Sequence, residues 1–305
     1  MRKEKILDRL LKSRKIDSLS YLCAKAESLN VLSREFNFEA PHFIDYILTE
    51  LKQTGIRATK IYTSLDLDLQ KDLEKLLAAT LNSLQSYNVN QGAILVMDTR
   101  TGDILSMIGS RIYFDEREGQ VNGCLALRQP GSSIKPFVYI LALESGIPAS
   151  LVLPDTALEF RLPNGTFFAP KNYGDRYHGP TRAREALASS FNVPTVYLLQ
   201  SLGTQRFYNF LKNLNFSNPN KEMHFYGLSL GLGAGEVSLL ELVNAYRAIA
   251  QQGLWQKERV VLSFCDSSYE KPKRVFSKDA AAIIIDILAD NLSRIKAFGE
   301  DSPLN

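Results

Sequence analysis

The residue types best suited to chemistry in this 305-residue chain sit in one short stretch, Arg128-Gln-Pro-Gly-Ser-Ser-Ile-Lys-Pro-Phe137, which runs into the apolar segment Val138-Tyr-Ile-Leu-Ala-Leu143. With Ser132 at the start of a helix, Lys135 falls one turn later on the same face, close enough for its amine to take the hydroxyl proton. A lysine serves as such a base only when its pKa drops well below about 10.4. The apolar flank of Ile134, Phe137 and Val138 predicts the desolvation that lowers it. Pro136 suits a first helical turn, where amides lack partners anyway, and a helix N-terminus favours a developing oxyanion. The chemistry indicated is nucleophilic acyl transfer, with Ser132 attacking and Lys135 as base.

A second element is Ser190-Phe-Asn192, expected in a turn between a helix over 182–188 and one beginning at Pro194. Ser190 suits proton relay between Lys135 and a leaving group, and Asn192 can bond a substrate amide through both its donor and its acceptor. Both patterns also recur as background. Ser268 to Lys271 and Ser293 to Lys296 repeat the tetrad without a glycine turn or an apolar helix, while Ser28-Leu-Asn30 and Ser86-Tyr-Asn88 repeat the triplet. Taken alone, Ser190 and Asn192 also read as ordinary helix-end and turn chemistry.

Other chemistries lack their signatures. There is no GxGxxG loop, P-loop, HExxH or GxSxG, so no cofactor is expected. His42, His178 and His224 each stand alone in their segments, as structural histidines usually do, and a Ser-His-Asp triad has no local support. Cys23, Cys124 and Cys265 lie far apart without metal spacing, which excludes a disulfide framework and a zinc site; no metal is expected. The formal net charge of +3 gives no electrostatic footprint for nucleic acid. Seven Lys and Arg crowd residues 1–15, but Glu4 and Asp8 interrupt them, and Ile6, Leu7, Leu10 and Leu11 share one face. That pattern predicts a solvated amphipathic helix. No stretch approaches 18 uncharged apolar residues, so no transmembrane segment is expected within the chain.

The elements that must position these residues follow from periodicity. Residues 1–53 read as helices, with breaks near 17–20 and 37–41 and extended backbone expected before Pro41. Leu69, Leu73, Leu76, Leu77, Leu81 and Leu84 mark a half-buried helix. Segments 92–97 and 103–108 read as an antiparallel hairpin around Asp98-Thr-Arg-Thr-Gly102. A loop-rich insert over 148–180 holds five prolines and the turn signal Asn164-Gly165. Ser238-Leu-Leu-Glu241 is a capping box for a helix closing at Gly253, and a last helix covers 278–289. Helix, hairpin, then many helices indicate an α+β domain.

Together these texts carry a resemblance. Ile61-Tyr-Thr-Ser-Leu-Asp66, Thr101-Gly102-Asp103, the stretch 128–137, Pro170-Lys-Asn-Tyr173 and Arg184-Glu-Ala-Leu-Ala-Ser-Ser-Phe-Asn-Val-Pro194 resemble the transpeptidase domain of class A bifunctional penicillin-binding proteins. The segments 227–246 and 297–305 look most like the penicillin-binding protein 1C subgroup. The resemblance implies a serine β-lactamase/transpeptidase-like fold over 54–305, preceded by the end of a glycosyltransferase domain and linker helices over 1–53. It implies D,D-transpeptidase chemistry on D-Ala-D-Ala stem peptides and acylation by β-lactams. In that carry-over Ser132 is the nucleophile, Lys135 the base, Ser190 the proton shuttle and Asn192 a substrate-binding group. The family's third motif, Lys-Thr-Gly or Lys-Ser-Gly, is absent from these residues. The expectation is therefore a domain truncated before that motif and lacking the C-terminal sheet strands. Its parent would be anchored at the periplasmic face of the inner membrane of the bacterial cell envelope. The alternatives are an inactive piece serving as scaffold, or a split-gene half that needs a complementing C-terminal fragment. A β-lactam sensor or hydrolase is a weaker one.

Overall fold

The computed structural model describes residues 2–27, 38–55, 58–162, 165–216, 226–262 and 271–301. They fall into two compact units, 1–39 and 40–305. In the first, α1 (Arg2–Lys12) and α2 (Ser18–Ala26) are separated by a turn at Asp17, whose side chain accepts from the Ser20 amide at 2.7 Å and caps α2.

The second unit begins with α3 (Pro41–Thr54). Ala40, expected to be extended, is instead left-handed (φ +50°, ψ +52°). A proline disfavours the right-handed helical region for the residue before it, and this conformation avoids that clash while letting the Ala40 carbonyl accept from Phe43 and Ile44. Next, α4 (Leu67–Ser83) is capped by Asp66, which accepts from the amides of Asp68 and Leu69. The leucine periodicity of that helix places Leu77 and Leu81 against Ile108 in a small apolar cluster.

The predicted hairpin is β1 (Ile94–Met97) and β2 (Ile104–Ile108), antiparallel, with Ile94 opposite Ile108 and a register shift between Val96 and Met97. Its turn is held by Asp98, which accepts from Arg100 and Thr101. Gly102 (φ +77°) is needed twice over, for its backbone conformation and because a Cβ would meet the Arg247 guanidinium at 2.9 Å. One core joins Phe43, Tyr46 and Ile47 of α3 to Ile104 and Met107 of β2.

The larger core surrounds α5 (Lys135–Glu144), every residue of which from Lys135 to Ala142 is buried. It is packed by α6 (Ala183–Ala188), α7 (Asn192–Leu202), α8 (Thr204–Asn213), α9 (Leu239–Ala250) and α10 (Lys278–Ala289), through side chains such as Phe137, Ile140, Leu198, Phe207 and Ile284. The α9 capping box is complete: the Glu241 amide donates to Ser238 Oγ and the Ser238 amide to the Glu241 carboxylate. A further helix, α11 (Asn291–Phe298), follows Asp290, which caps it through the amides of Leu292 and Ser293.

Two expectations change in the middle of the chain. The insert over 148–180 is not wholly loop: β3 (Val152–Asp155) pairs antiparallel with β6 (Gly179–Arg182), and β4 (Phe160–Arg161) with β5 (Phe167–Phe168). Pro154 and Pro180 lie opposite each other in the first pair, so the prolines that masked these strands occupy a short two-stranded ladder where no further strand needs their amides. Asn192, expected in a turn, is the first residue of α7. The class remains α+β, helical with small antiparallel sheets. Cys265, His224, Ser268 and Asn164 lie outside the described residues.

Arg247 of α9 ties the hairpin turn to the helical half. Its buried guanidinium donates to the carbonyls of Thr99 at 3.0 Å, Gln256 at 3.1 Å and Arg100 at 3.4 Å. The Arg247→Met variant keeps the aliphatic stem but removes the donor to the Thr99 and Arg100 carbonyls, while Gln256 keeps its bond from Asn244 Nδ2, so we expect it to lose about 2–4 kcal/mol, read as a lowered urea midpoint of unfolding.

Candidate active site

The Ser-x-x-Lys motif begins in a 3-10 turn, Gly131–Ile134, that feeds directly into α5. Gly131 adopts φ +57° to start it, and the Lys135 amide closes it on the Ser132 carbonyl. Pro136 falls in the first helical turn, as its missing amide favours. The two serines then separate in role. Ser133 Oγ donates to the Pro130 carbonyl at 2.6 Å, and its own carbonyl accepts from Tyr246 Oη at 2.8 Å. Ser132 is exposed on the outside of the turn.

The segment 227–237 supports this turn from behind. Arg128 and Val237 exchange backbone hydrogen bonds at 2.9 and 2.8 Å, and the 3-10 turn Gly227–Leu232 packs on Gly131–Ile134. Gly233 (φ +83°) approaches so closely that a Cβ there would lie 2.2 Å from the Gly131 carbonyl oxygen. That glycine carries no chemistry of its own, which is why residue type alone did not single it out.

Lys135 is 1% exposed. Its Nζ lies 2.5 Å from the Ser190 carbonyl, 2.6 Å from Asn192 Oδ1 and 3.1 Å from Ser190 Oγ. The structure thus brings three of the four predicted site residues into direct contact, and joins Ser132 to them through the turn that ends at Lys135. Those three partners are neutral, and burial pushes the amine down to about 7. The three partners fit both protonation states. An ammonium donates to all three, whereas a neutral amine donates to the two carbonyl oxygens and accepts from the Ser190 hydroxyl.

Ser190 occupies the left-handed region (φ +57°), uncommon for a residue with a Cβ. This conformation turns the chain between α6 and α7 and points both its carbonyl and its hydroxyl at Lys135. Asn192 is held at its other end, where Nδ2 donates to the Lys171 carbonyl at 2.7 Å. Both atoms of its amide are therefore engaged, and one Nδ2 hydrogen remains for an incoming group.

The other histidines find structural partners. His42 Nε2 lies 3.0 Å from Ser110 Oγ, and His178 Nδ1 lies 2.9 Å from the Asp155 carboxylate. Among the described residues, no serine hydroxyl bonds the His178 ring and no carboxylate bonds the His42 ring, so neither histidine completes a Ser-His-Asp triad. No described group of three or more His, Cys, Asp or Glu is placed to hold a metal.

A sequence profile described as "Penicillin binding protein transpeptidase domain" matches residues 92–297. The chain belongs to the penicillin-binding protein transpeptidase family. Penicillin-binding protein 1C of Escherichia coli is 33% identical over 279 residues, an alignment covering 88% of this chain and 33% of that protein. Penicillin-binding protein 1A of Neisseria meningitidis is 32% identical over 188 residues, covering 61% of this chain and 22% of its own. The chain thus spans about a fifth to a third of these relatives. In fold it is similar to the crystal structure of penicillin-binding protein 1A from Haemophilus influenzae, with a TM-score of 0.76 at 19% identity, over 95% of this chain and 63% of that one. The family as a whole is one of serine-type transpeptidases associated with penicillin binding and cell-wall synthesis.

Two outcomes follow from this geometry. Gly233→Ala is expected to lose about 2 kcal/mol or more in urea unfolding, through contact with the Gly131 carbonyl, whereas Gly55→Ala, at φ +70° in open space, should lose only the strain of about 1 kcal/mol. Lys135 also predicts a pH dependence. With its folded pKa near 7 and an unfolded value near 10.5, the unfolded chain binds more protons between those limits, so stability rises with pH across that window. Urea unfolding at pH 6 and pH 9 should show wild type gaining on the order of 2 kcal/mol relative to Lys135→Met.

Proposed function

We propose that the chain carries the nucleophile side of a peptidoglycan D,D-transpeptidase site. The observation that carries this reading is the buried amine of Lys135, held against Ser190 and Asn192 one turn from an exposed Ser132. In the proposed cycle Ser132 Oγ attacks the carbonyl between the two terminal D-alanines of a stem peptide, and neutral Lys135 takes the hydroxyl proton. The carbon–nitrogen bond then breaks. A proton relayed from Lys135 through the Ser190 hydroxyl reaches the departing D-alanine amine, and the remaining stem stays as an ester on Ser132. An amine from a neighbouring stem attacks that ester, restores the hydroxyl and forms the cross-link. The remaining Nδ2 hydrogen of Asn192 suits a substrate backbone carbonyl. A β-lactam presents a strained amide to the same hydroxyl and leaves an ester in the same way.

In this reading residues 1–53 close a glycosyltransferase domain with its linker helices, and 54–305 form the transpeptidase portion. The parent is anchored in the envelope with this portion at the periplasmic face; among the described residues, no helix is long and apolar enough to cross a membrane. A second reading has these residues serve as a scaffold, with no acylation of their own.

Labelling with a fluorescent penicillin, read by intact mass, separates these readings. The first expects one covalent adduct on wild type, none on Ser132→Ala, and acylation slowed by about 10²-fold or more in Ser190→Ala. No adduct on wild type favours the second reading, and an adduct that survives Ser132→Ala overturns the assignment of the nucleophile.

A further inference from the structure

Behind the Lys135 group lies a hydrogen-bonded chain that extends beyond the Ser-x-x-Lys and Ser-x-Asn motifs. The N-terminus of α7 has no cap of its own, because the preceding residue, Phe191, has no side-chain acceptor. The cap comes from another part of the chain. Asn172 Oδ1 accepts from the amides of Asn192 at 2.8 Å and Val193 at 3.3 Å, two of the first-turn amides that a helix leaves unpaired. Asn172 Nδ2 in turn donates to Asp155 Oδ1 at 2.7 Å and to the Arg176 carbonyl at 3.0 Å. Asp155 is 0% exposed, and its second oxygen accepts from the His178 amide and from His178 Nδ1, each at 2.9 Å. A carboxylate this deeply buried is tolerated because donors meet both oxygens.

The same segments grip the Ser190–Asn192 turn from two further directions. Lys171, the neighbour of Asn172, presents the carbonyl that holds Asn192 Nδ2. With the amide nitrogen committed there, Asn192 must offer Oδ1 to Lys135. The His178 ring stacks on Phe191 with centroids 4.2 Å apart and planes 12° from parallel. Ser190, between α6 and this clamp, is held in its left-handed conformation, a cost of order 1–3 kcal/mol that persists only where the surroundings over-determine it.

We propose that Asp155, Asn172 and His178 are positioning residues of the acyl-transfer site, fixing through the start of α7 the atoms that Lys135 meets. The proposal rests on the reading of that site as an acyl-transfer site. None of the three touches the reacting atoms. Each acts through Asn192 or the Ser190–Phe191 backbone, so their loss changes where the Lys135 acceptors stand before it changes anything at Ser132.

The test compares wild type, Asn172→Ala, the near-isosteric Asp155→Asn and a control, Leu77→Ala, in the apolar cluster with Leu81 and Ile108. Two readouts run side by side on the full chain: the acylation rate with a fluorescent penicillin, and the titration midpoint of the Lys135 amine by NMR of its labelled Nζ and Cε, which needs no turnover. The expectation is acylation at least about tenfold slower and, because displaced acceptors no longer stabilise the ammonium, an amine midpoint about one unit lower in Asn172→Ala, with a smaller shift of the same sign in Asp155→Asn. Leu77→Ala should lower the melting temperature and leave the midpoint unmoved. A melting temperature lowered in Asn172→Ala and Asp155→Asn, with the Lys135 midpoint unchanged, assigns the three residues a purely structural role and overturns the proposal. If Asn172→Ala does not fold, Asp155→Asn decides by the same midpoint. If wild type is not acylated while the midpoint moves as expected, the acyl-transfer reading of this chain fails and the positioning of Lys135 stands.

Discussion

A primary amine taken out of water must find acceptors or give up its proton, and Lys135 is arranged for both. Its position in the chain makes burial unavoidable, since it opens α5, a helix buried along almost its whole length. Its partners are neutral oxygens rather than a carboxylate, so no counter-charge offsets the desolvation, and the amine is left near the midpoint of its titration at neutral pH. A carboxylate in the same place would have made a stable ion pair and a poor base. Much of the surrounding architecture follows from supplying two carbonyl oxygens and a hydroxyl at that one point.

Those oxygens come from a turn with little stability of its own. Ser190 sits in a backbone region that favours glycine, and the helix after it begins without a cap from the residue that precedes it. Both deficits are met by β3, β6 and the segment between them. A buried Asp, an Asn that caps a distant helix and a stacked His belong to one small sheet and its loop, which makes the insert over 148–180 part of the site's support. The turn that carries Ser132 is supported from the opposite side, where Gly233 lets the 3-10 turn before it approach the backbone of Gly131.

The legible part of this arrangement was whatever depends on neighbours in sequence. The tetrad, its glycine turn and the apolar run after it predicted a desolvated lysine one turn from the serine, because three residues of separation set that geometry almost regardless of the rest of the fold. The hairpin, the capping box of α9 and the leucine stripe of α4 are local in the same sense. Where the reading departed from the structure, the cause was distant in sequence. Asn192 is expected in a turn before a helix beginning at Pro194, and the structure starts that helix two residues earlier, where its cap comes from Asn172. The strands of the insert were masked by prolines that become acceptable once they face each other in a two-stranded ladder. Asp155 had no local signal, since an isolated Asp among prolines and a Thr reads as loop composition.

The sequence by itself determined the class of chemistry, the family and which serine, lysine and asparagine to examine, because motif spacing and helical periodicity act over a few residues and survive translation into any surrounding fold. Tertiary structure alone decided which atoms the lysine amine meets, which end of the Asn192 amide faces it, and what keeps Ser190 in its conformation. Those outcomes depend on hydrogen bonds between segments far apart in the chain, formed only when folding excludes water and leaves each buried donor and acceptor to find its partner inside.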